Sequence, residues 1–327
     1  MIKLFTIRQP IVFLLLVALL FALRLPALLF NLSMPLETSA YTCFGDFFYL
    51  LNKNKLIGYS VGGGIMVLQT LHLNHIFEKH TVHHKITYLP SLFYIIYASL
   101  FNILDCNITP ALLAQTPLML VLNIYFDLYK TKDIGTKIFA AMFILGLGAL
   151  LYFPLALLLP VFLINLFFIK IPSFRDFMVA IAGAILPIYF AFVYYYFNGQ
   201  YDFFMAQVNK LTLFKTHINI EETSPQLWLL VVLGVMVIMA SFKLYLSYFK
   251  NIIKTRIIQQ MLFVLSFVSL FVLTFLLQFQ YQHLLIFLIP MSFILSYFFM
   301  GKWKLMLNEM IAIALLFFIL FLKINKI

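Results

Sequence analysis

Apolar residues fall along this chain in long runs separated by short polar segments. A bilayer core of roughly 30 Å needs about 20 apolar helical residues. Runs that reach or approach that length cover 9–31, 56–76, 87–104, 109–129, 177–197, 225–242, 261–279, 284–300 and 305–322. They predict helices, so the fold class is all-α. A further stretch, Ile138 to Ile169, holds 32 residues with no charge and no histidine. As one helix it would extend about 48 Å. Pro154 and Pro160 interrupt it, and proline breaks a helix interior. Both flanks are basic, with Lys130, Lys132 and Lys137 before and Lys170 and Arg175 after. A hairpin of two short helices keeps those flanks on one side, which brings the prediction to eleven membrane helices.

Composition agrees with the pattern. Of 327 residues, 64% are hydrophobic and 10% charged, and mean hydropathy is +1.04. An ordinary soluble domain carries about 25% charged residues. The balance excludes a soluble globular enzyme, a disordered chain and a disulfide scaffold, and leaves a polytopic integral membrane protein. It reads as a single transmembrane domain, 1–327, with outer loops 32–55 and 198–224 and no separate soluble domain. Gln9 to Asn31 follows Lys3 and Arg8 as a signal peptide would, yet no small-x-small site follows it. It reads as a retained first helix.

The net charge of +11 sets orientation rather than nucleic-acid binding, because no basic stripe or stacking motif accompanies it. With the N-terminus in the cytoplasm, 15 Lys and Arg fall in inner segments and 6 in outer ones. That bias is the positive-inside pattern. It places the C-terminus outside the cytoplasm.

Few polar residues remain as candidates for chemistry. Arg24 stands in the outer half of the first helix, where a charge is costly. It reads either as a clamp for a lipid phosphate or as a side chain snorkelling to outer headgroups. The first outer loop holds Glu37 and Asp46, and 43–51 around Asp46 reads as an interfacial helix or re-entrant piece. A carboxylate at that depth suits a general base; the alternative is a solvated acid capping a short helix. His283, with Gln278 and Gln282 beside it, suggests either the wall of an outward-facing pocket or an ordinary polar turn. His72, His75, His80, His83 and His84 cluster near the inner end of the second helix. Their spacing resembles one histidine box, but metal sites need several converging ligands, so neither a metal nor a cofactor is assigned. Gly62, Gly63 and Gly64 lack the strand and the Lys-Ser/Thr of a phosphate loop and read as close helix packing. Cys43 and Cys106 both fall on the outer side, either bridged or as free thiols.

Four stretches carry a family resemblance: Thr-Tyr-Leu-Pro-Ser-Leu-Phe-Tyr-Ile-Ile-Tyr-Ala-Ser-Leu-Phe (87–101), Thr-Pro-Ala-Leu-Leu-Ala (109–114), Gly-Leu-Gly-Ala-Leu-Leu-Tyr-Phe-Pro (146–154) and Arg-Asp-Phe-Met-Val-Ala-Ile-Ala-Gly-Ala-Ile-Leu-Pro (175–187). Together they resemble an uncharacterised family of bacterial multi-pass inner-membrane proteins, some named beta-carotene monooxygenase. The resemblance covers about residues 1–200 well. A propeller fold with dispersed histidine ligands, as in soluble carotenoid-cleaving enzymes, is incompatible with this composition. The order of first helix, acidic outer loop and proline-broken helices also resembles the GT-C class of polyprenyl-sugar-dependent glycosyltransferases. That likeness implies a carboxylate in the first outer loop as base or metal ligand, a role only Glu37 or Asp46 could fill. The class usually sets its acids close together, and this loop does not.

Three functions follow as expectations. The first is a cell-envelope enzyme using a polyprenyl-phosphate-linked sugar, with Asp46 or Glu37 as base, Arg24 on the phosphate, and His283, Gln278 and Gln282 lining the cleft. The second is a non-catalytic subunit or scaffold that meets other membrane-protein subunits in an envelope-assembly or export complex. The third is a transporter or lipid flippase, for which paired mid-membrane charges and an inverted repeat would be expected. All three have membrane lipids as partners and none has nucleic acid.

Overall fold

The structure is a computed structural model and describes residue 5 and residues 9–29, 41–80, 87–101, 108–129, 131, 133–212, 225–271 and 283–300. Among the described residues the chain is all-α, with no strand. In chain order the helices are α1 (Pro10–Leu29), α2 (Gly45–Asn52), α3 (Lys55–His80), α4 (Leu89–Phe101), α5 (Pro110–Phe126) and α6 (Ile134–Leu151). They continue with α7 (Leu159–Ile169), α8 (Phe174–Phe197), α9 (Tyr201–Thr212), α10 (Pro225–Ser247), α11 (Ile253–Phe271) and α12 (Leu284–Met300). Among the described residues four helices are long and apolar enough to cross a membrane: α3, α6, α8 and Ile253–Leu270 of α11. Shorter apolar helices accompany them. The apolar run 305–322 and the loop positions Glu37, Gln278, Gln282 and Cys106 lie outside the described residues.

The proline-rich stretch breaks where its sequence requires. Helix α6 ends at Leu151, Tyr152 is extended, and a 3-10 turn covers Phe153–Leu158 before α7 begins. Pro154 and Pro160 each sit in the first two residues of their element. There the missing N–H breaks no internal bond. The chain also turns back. Gly183 of α8 faces Phe139 and Met142 of α6, and Gly146 faces Ala184 and Pro187. Residue numbers rise together along both helices, so α6 and α8 run parallel. The 3-10 turn and α7 between them must therefore carry the chain in the opposite sense.

Two buried helices form the middle of the bundle. Residues 284–299 of α12 and 90–98 of α4 are buried on every side. A helix that is apolar all round belongs inside. Phe293 of α12 meets Phe77 of α3 and Phe126 of α5, with ring centroids 5.6 Å and 6.2 Å apart. Phe299 meets Phe93 of α4 at 4.9 Å. Lys243 of α10 donates to the Phe298 carbonyl at 2.5 Å. A cation there satisfies a last-turn acceptor of α12.

The loop expected over 198–224 begins as a helix instead. Helix α9 turns Phe204 inward onto Phe153 and Phe192, both at 5.9 Å. A small second core of Cys43, Leu150, Phe153 and Phe204 results. The polar residues of α9 hide this amphipathic helix from a hydropathy reading.

Candidate functional site

The segment just before α2 is tied to several distant elements. Tyr41 N–H donates to Gln207 Oε1 of α9 at 3.1 Å, and its carbonyl accepts from Phe153 N–H at 2.8 Å. Cys43 N–H donates to the Leu150 carbonyl at 3.2 Å. The Tyr195 hydroxyl of α8 donates to the Cys43 carbonyl at 2.7 Å. Tyr41 and Cys43 thus join α6, the 3-10 turn, α8 and α9. Tyr41 holds φ +65°, a left-handed conformation that is strained for a bulky side chain. The two bonds on its backbone hold it there.

His283 lies beneath this segment and is fully buried, at 0% exposure. Its Nδ1 hydrogen-bonds with the Tyr152 hydroxyl. The Tyr41 ring stands edge-on to it at 5.3 Å. The histidine therefore supports the pinned segment from within.

Arg24 occupies a second neighbourhood and is 3% exposed. Its Nη1 donates to the Tyr59 carbonyl at 3.0 Å, and its guanidinium carbon lies 5.3 Å from the Tyr59 ring centroid. The Tyr59 hydroxyl in turn donates to the Phe21 carbonyl at 2.8 Å. Gly62 and Gly63 make the room. A methyl group at Gly62 would stand 2.9 Å from Arg24 Nη2, and one at Gly63 2.6 Å from the Phe21 ring. The glycines are a cradle for the guanidinium, which is held against α3. Gly64 faces open space.

Helix α2 links the two neighbourhoods. It starts just after the pinned Tyr41–Cys43 segment, and its last residue, Asn52, is buried. Asn52 donates to the Ile108 carbonyl at 3.0 Å and accepts from Ile108 N–H at 2.7 Å. Ile108 in turn lines the Gly62 cradle. Asp46 stands exposed in the first turn of α2. Phe47, Tyr49 and Leu50 are also exposed, whereas Phe48 is buried. An exposed apolar face on a short helix suits the headgroup boundary. Cys43 is a free, buried thiol, and burial pushes its pKa up to about 12.

Some polar contacts escaped the sequence reading. Gln69 of α3 donates to the Leu112 carbonyl at 2.7 Å and to Thr116 Oγ1 at 3.0 Å, both on α5. The Tyr94 hydroxyl joins it from α4 at 2.6 Å and also meets Gln115. Near the other end of α3, His80 Nε2 lies 3.0 Å from Asn123 Oδ1 and Lys79 pairs with Asp127. The α3–α5 seam is thus polar at several depths. A glutamine within an apolar run is the signal that could have marked it. Among the described residues no three His, Cys, Asp or Glu side chains gather as a metal site.

No family model, curated protein or solved structure matches the chain.

Proposed function

We propose that this is an eleven-helix protein of a bacterial inner membrane that transfers a sugar from a polyprenyl-phosphate carrier at the outer face, in the manner of the GT-C class. The observation that carries the reading is α2. It holds an exposed carboxylate, Asp46, at the start of a helix fastened at one end to the His283 neighbourhood and at the other to the Arg24 cradle. In this reading Asp46 takes the proton of an acceptor hydroxyl as that oxygen attacks the anomeric carbon. The carbon–oxygen bond to the carrier breaks, and the polyprenyl phosphate leaves with the electron pair. Arg24 stabilises the departing phosphate by charge. His283 acts from inside by holding Tyr152 and Tyr41, and through them the start of α2.

The full chain purified in mild detergent tests this by mass spectrometry of bound lipids and proteins. A retained polyprenyl phosphate is expected, lost in Arg24→Gln and kept in Asp46→Asn. Protein subunits at stoichiometric ratio without such a lipid would overturn the enzyme reading. They would favour a scaffold, which the inward engagement of Arg24 and His283 also suits. A C-terminal reporter active only in the cytoplasm should stay silent; a signal would sink the odd number of spans.

A further inference from the structure

The end of the bundle away from α2 carries buried polar groups that none of the contacts above explains. Asn165 of α7 is fully buried, and neither its amide nitrogen nor its oxygen has a hydrogen-bond partner among the described residues. The same holds for the buried hydroxyls of Tyr125 on α5 and Thr255 on α11. Buried polar groups are paired in nine cases out of ten or more, so each of the three asks for an explanation.

The elements that carry them adjoin one another. Tyr125 packs on Phe162 of α7 with ring centroids 4.9 Å apart. Phe162 and Asn165 lie one turn apart on the buried face of α7. Helix α7 packs against α11, whose first turn holds Thr255. Lys254, next to Thr255, is close enough to Asp127 to bear on its charge, and Asp127 follows Tyr125 by two residues. The circuit from α5 through α7 and α11 back to α5 is closed. Lys254 stands at its rim, beside the Lys79–Asp127 ion pair.

We propose that this end of the bundle binds the head group of an anionic phospholipid that also bears free hydroxyls. Lys254 meets the phosphodiester charge, as the basic residues of pockets between membrane helices do. The Asn165 amide N–H and the Tyr125 and Thr255 hydroxyls donate to its oxygens. The Asn165 carbonyl needs a donor, which a glycerol hydroxyl supplies and a choline head group does not. Asn165 lies one turn from the end of α7, the depth at which a head group meets a helix end. The site is independent of any chemistry at Asp46, so its failure leaves the transferase reading untouched.

The test is thermal unfolding of the detergent-solubilised full chain with short-chain phosphatidylglycerol, short-chain phosphatidylcholine or inorganic phosphate at equal ionic strength. Phosphatidylglycerol near saturation is expected to raise the midpoint by about 3 °C or more, with no shift from the other two. Asn165→Leu and Thr255→Val keep the volume and remove the orphaned groups. Both should fold at least as stably as the parent while losing most of the lipid-induced shift. An equal shift from phosphatidylcholine, or an undiminished one in both variants, would overturn the site. An equal shift from inorganic phosphate would replace the lipid by a free anion and equally overturn it.

Discussion

Helices α12 and α8 are both apolar, yet they are held in opposite ways. Helix α12 is buried on all sides by side-chain packing against α4, α5, α10 and α11. Helix α8 buries one narrow stripe of small or short residues, Asp176, Ala180, Gly183, Ala184 and Pro187. The rest of α8 is open, with Phe190 60% and Phe197 81% exposed. In water such a face would be a liability; against lipid tails it is matched. Polar contacts secure the two ends of α8. Ser173 and Asp176 form a reciprocal cap and Lys170 pairs with Asp176 at 2.7 Å, while Tyr195 bonds to Cys43 at the far end. A helix in the middle of an apolar bundle is fixed by volume. A helix at its rim is fixed by close backbone approach and by its ends.

The largest effect should come from filling the approach between α6 and α8. Even a methyl group at Gly146 would stand 2.4 Å from the Ala184 carbonyl oxygen. Gly146→Leu is expected to cost about 3 kcal/mol or more, read as loss of monodisperse protein on size exclusion. Retention of folded protein would show that the stripe is not what holds α8. Next, Phe293→Ala in α12 should cost about 3–5 kcal/mol through the cavity it leaves among Phe77 and Phe126. Its counterpart Phe190→Ala on α8 should change thermal stability by about 0.5 kcal/mol or less. Comparable losses from the two would abolish the contrast.

The ends of α8 come next. Ser173→Ala removes a cap worth about 1 kcal/mol, and a thermal scan of the variant would show it. The smallest effect concerns Cys43. With its pKa pushed up to about 12, almost no thiolate forms at pH 8, so a maleimide should modify the native protein slowly. The sign follows from burial: the folded state favours the protonated thiol, so reactivity rises only as pH climbs toward that value or as the segment opens. Tyr195→Phe loses one bond to the segment and should speed labelling at pH 8 about fivefold. An unchanged rate would mean that Tyr195 does not hold 41–43.

Much of the fold is legible in the chain. The break at Pro154 and Pro160 and the short helix carrying Asp46 follow from rules that act over a few residues. The site is legible only as a set of names. Arg24 stands out because charge is rare in an apolar run, but nothing nearby in sequence says that Gly62 and Gly63 make room for it. His283 stands out for its polar neighbours, but its contacts are Tyr152 and Tyr41, 131 and 242 positions away. Asn165 and Gln69 did not stand out, because one amide barely alters the hydropathy of a long run.

Helix formation, apolar length and the bias of basic loops are properties of sequence windows, so the chain by itself determined an all-α architecture with helices suited to a membrane. Which face of each helix meets lipid and which meets protein was decided only by the tertiary structure. Lipid tails and a packed core are equally apolar, so leucine and phenylalanine serve both and cannot distinguish α8 from α12. That difference arises from where glycines admit a backbone and where a few polar side chains find partners far along the chain.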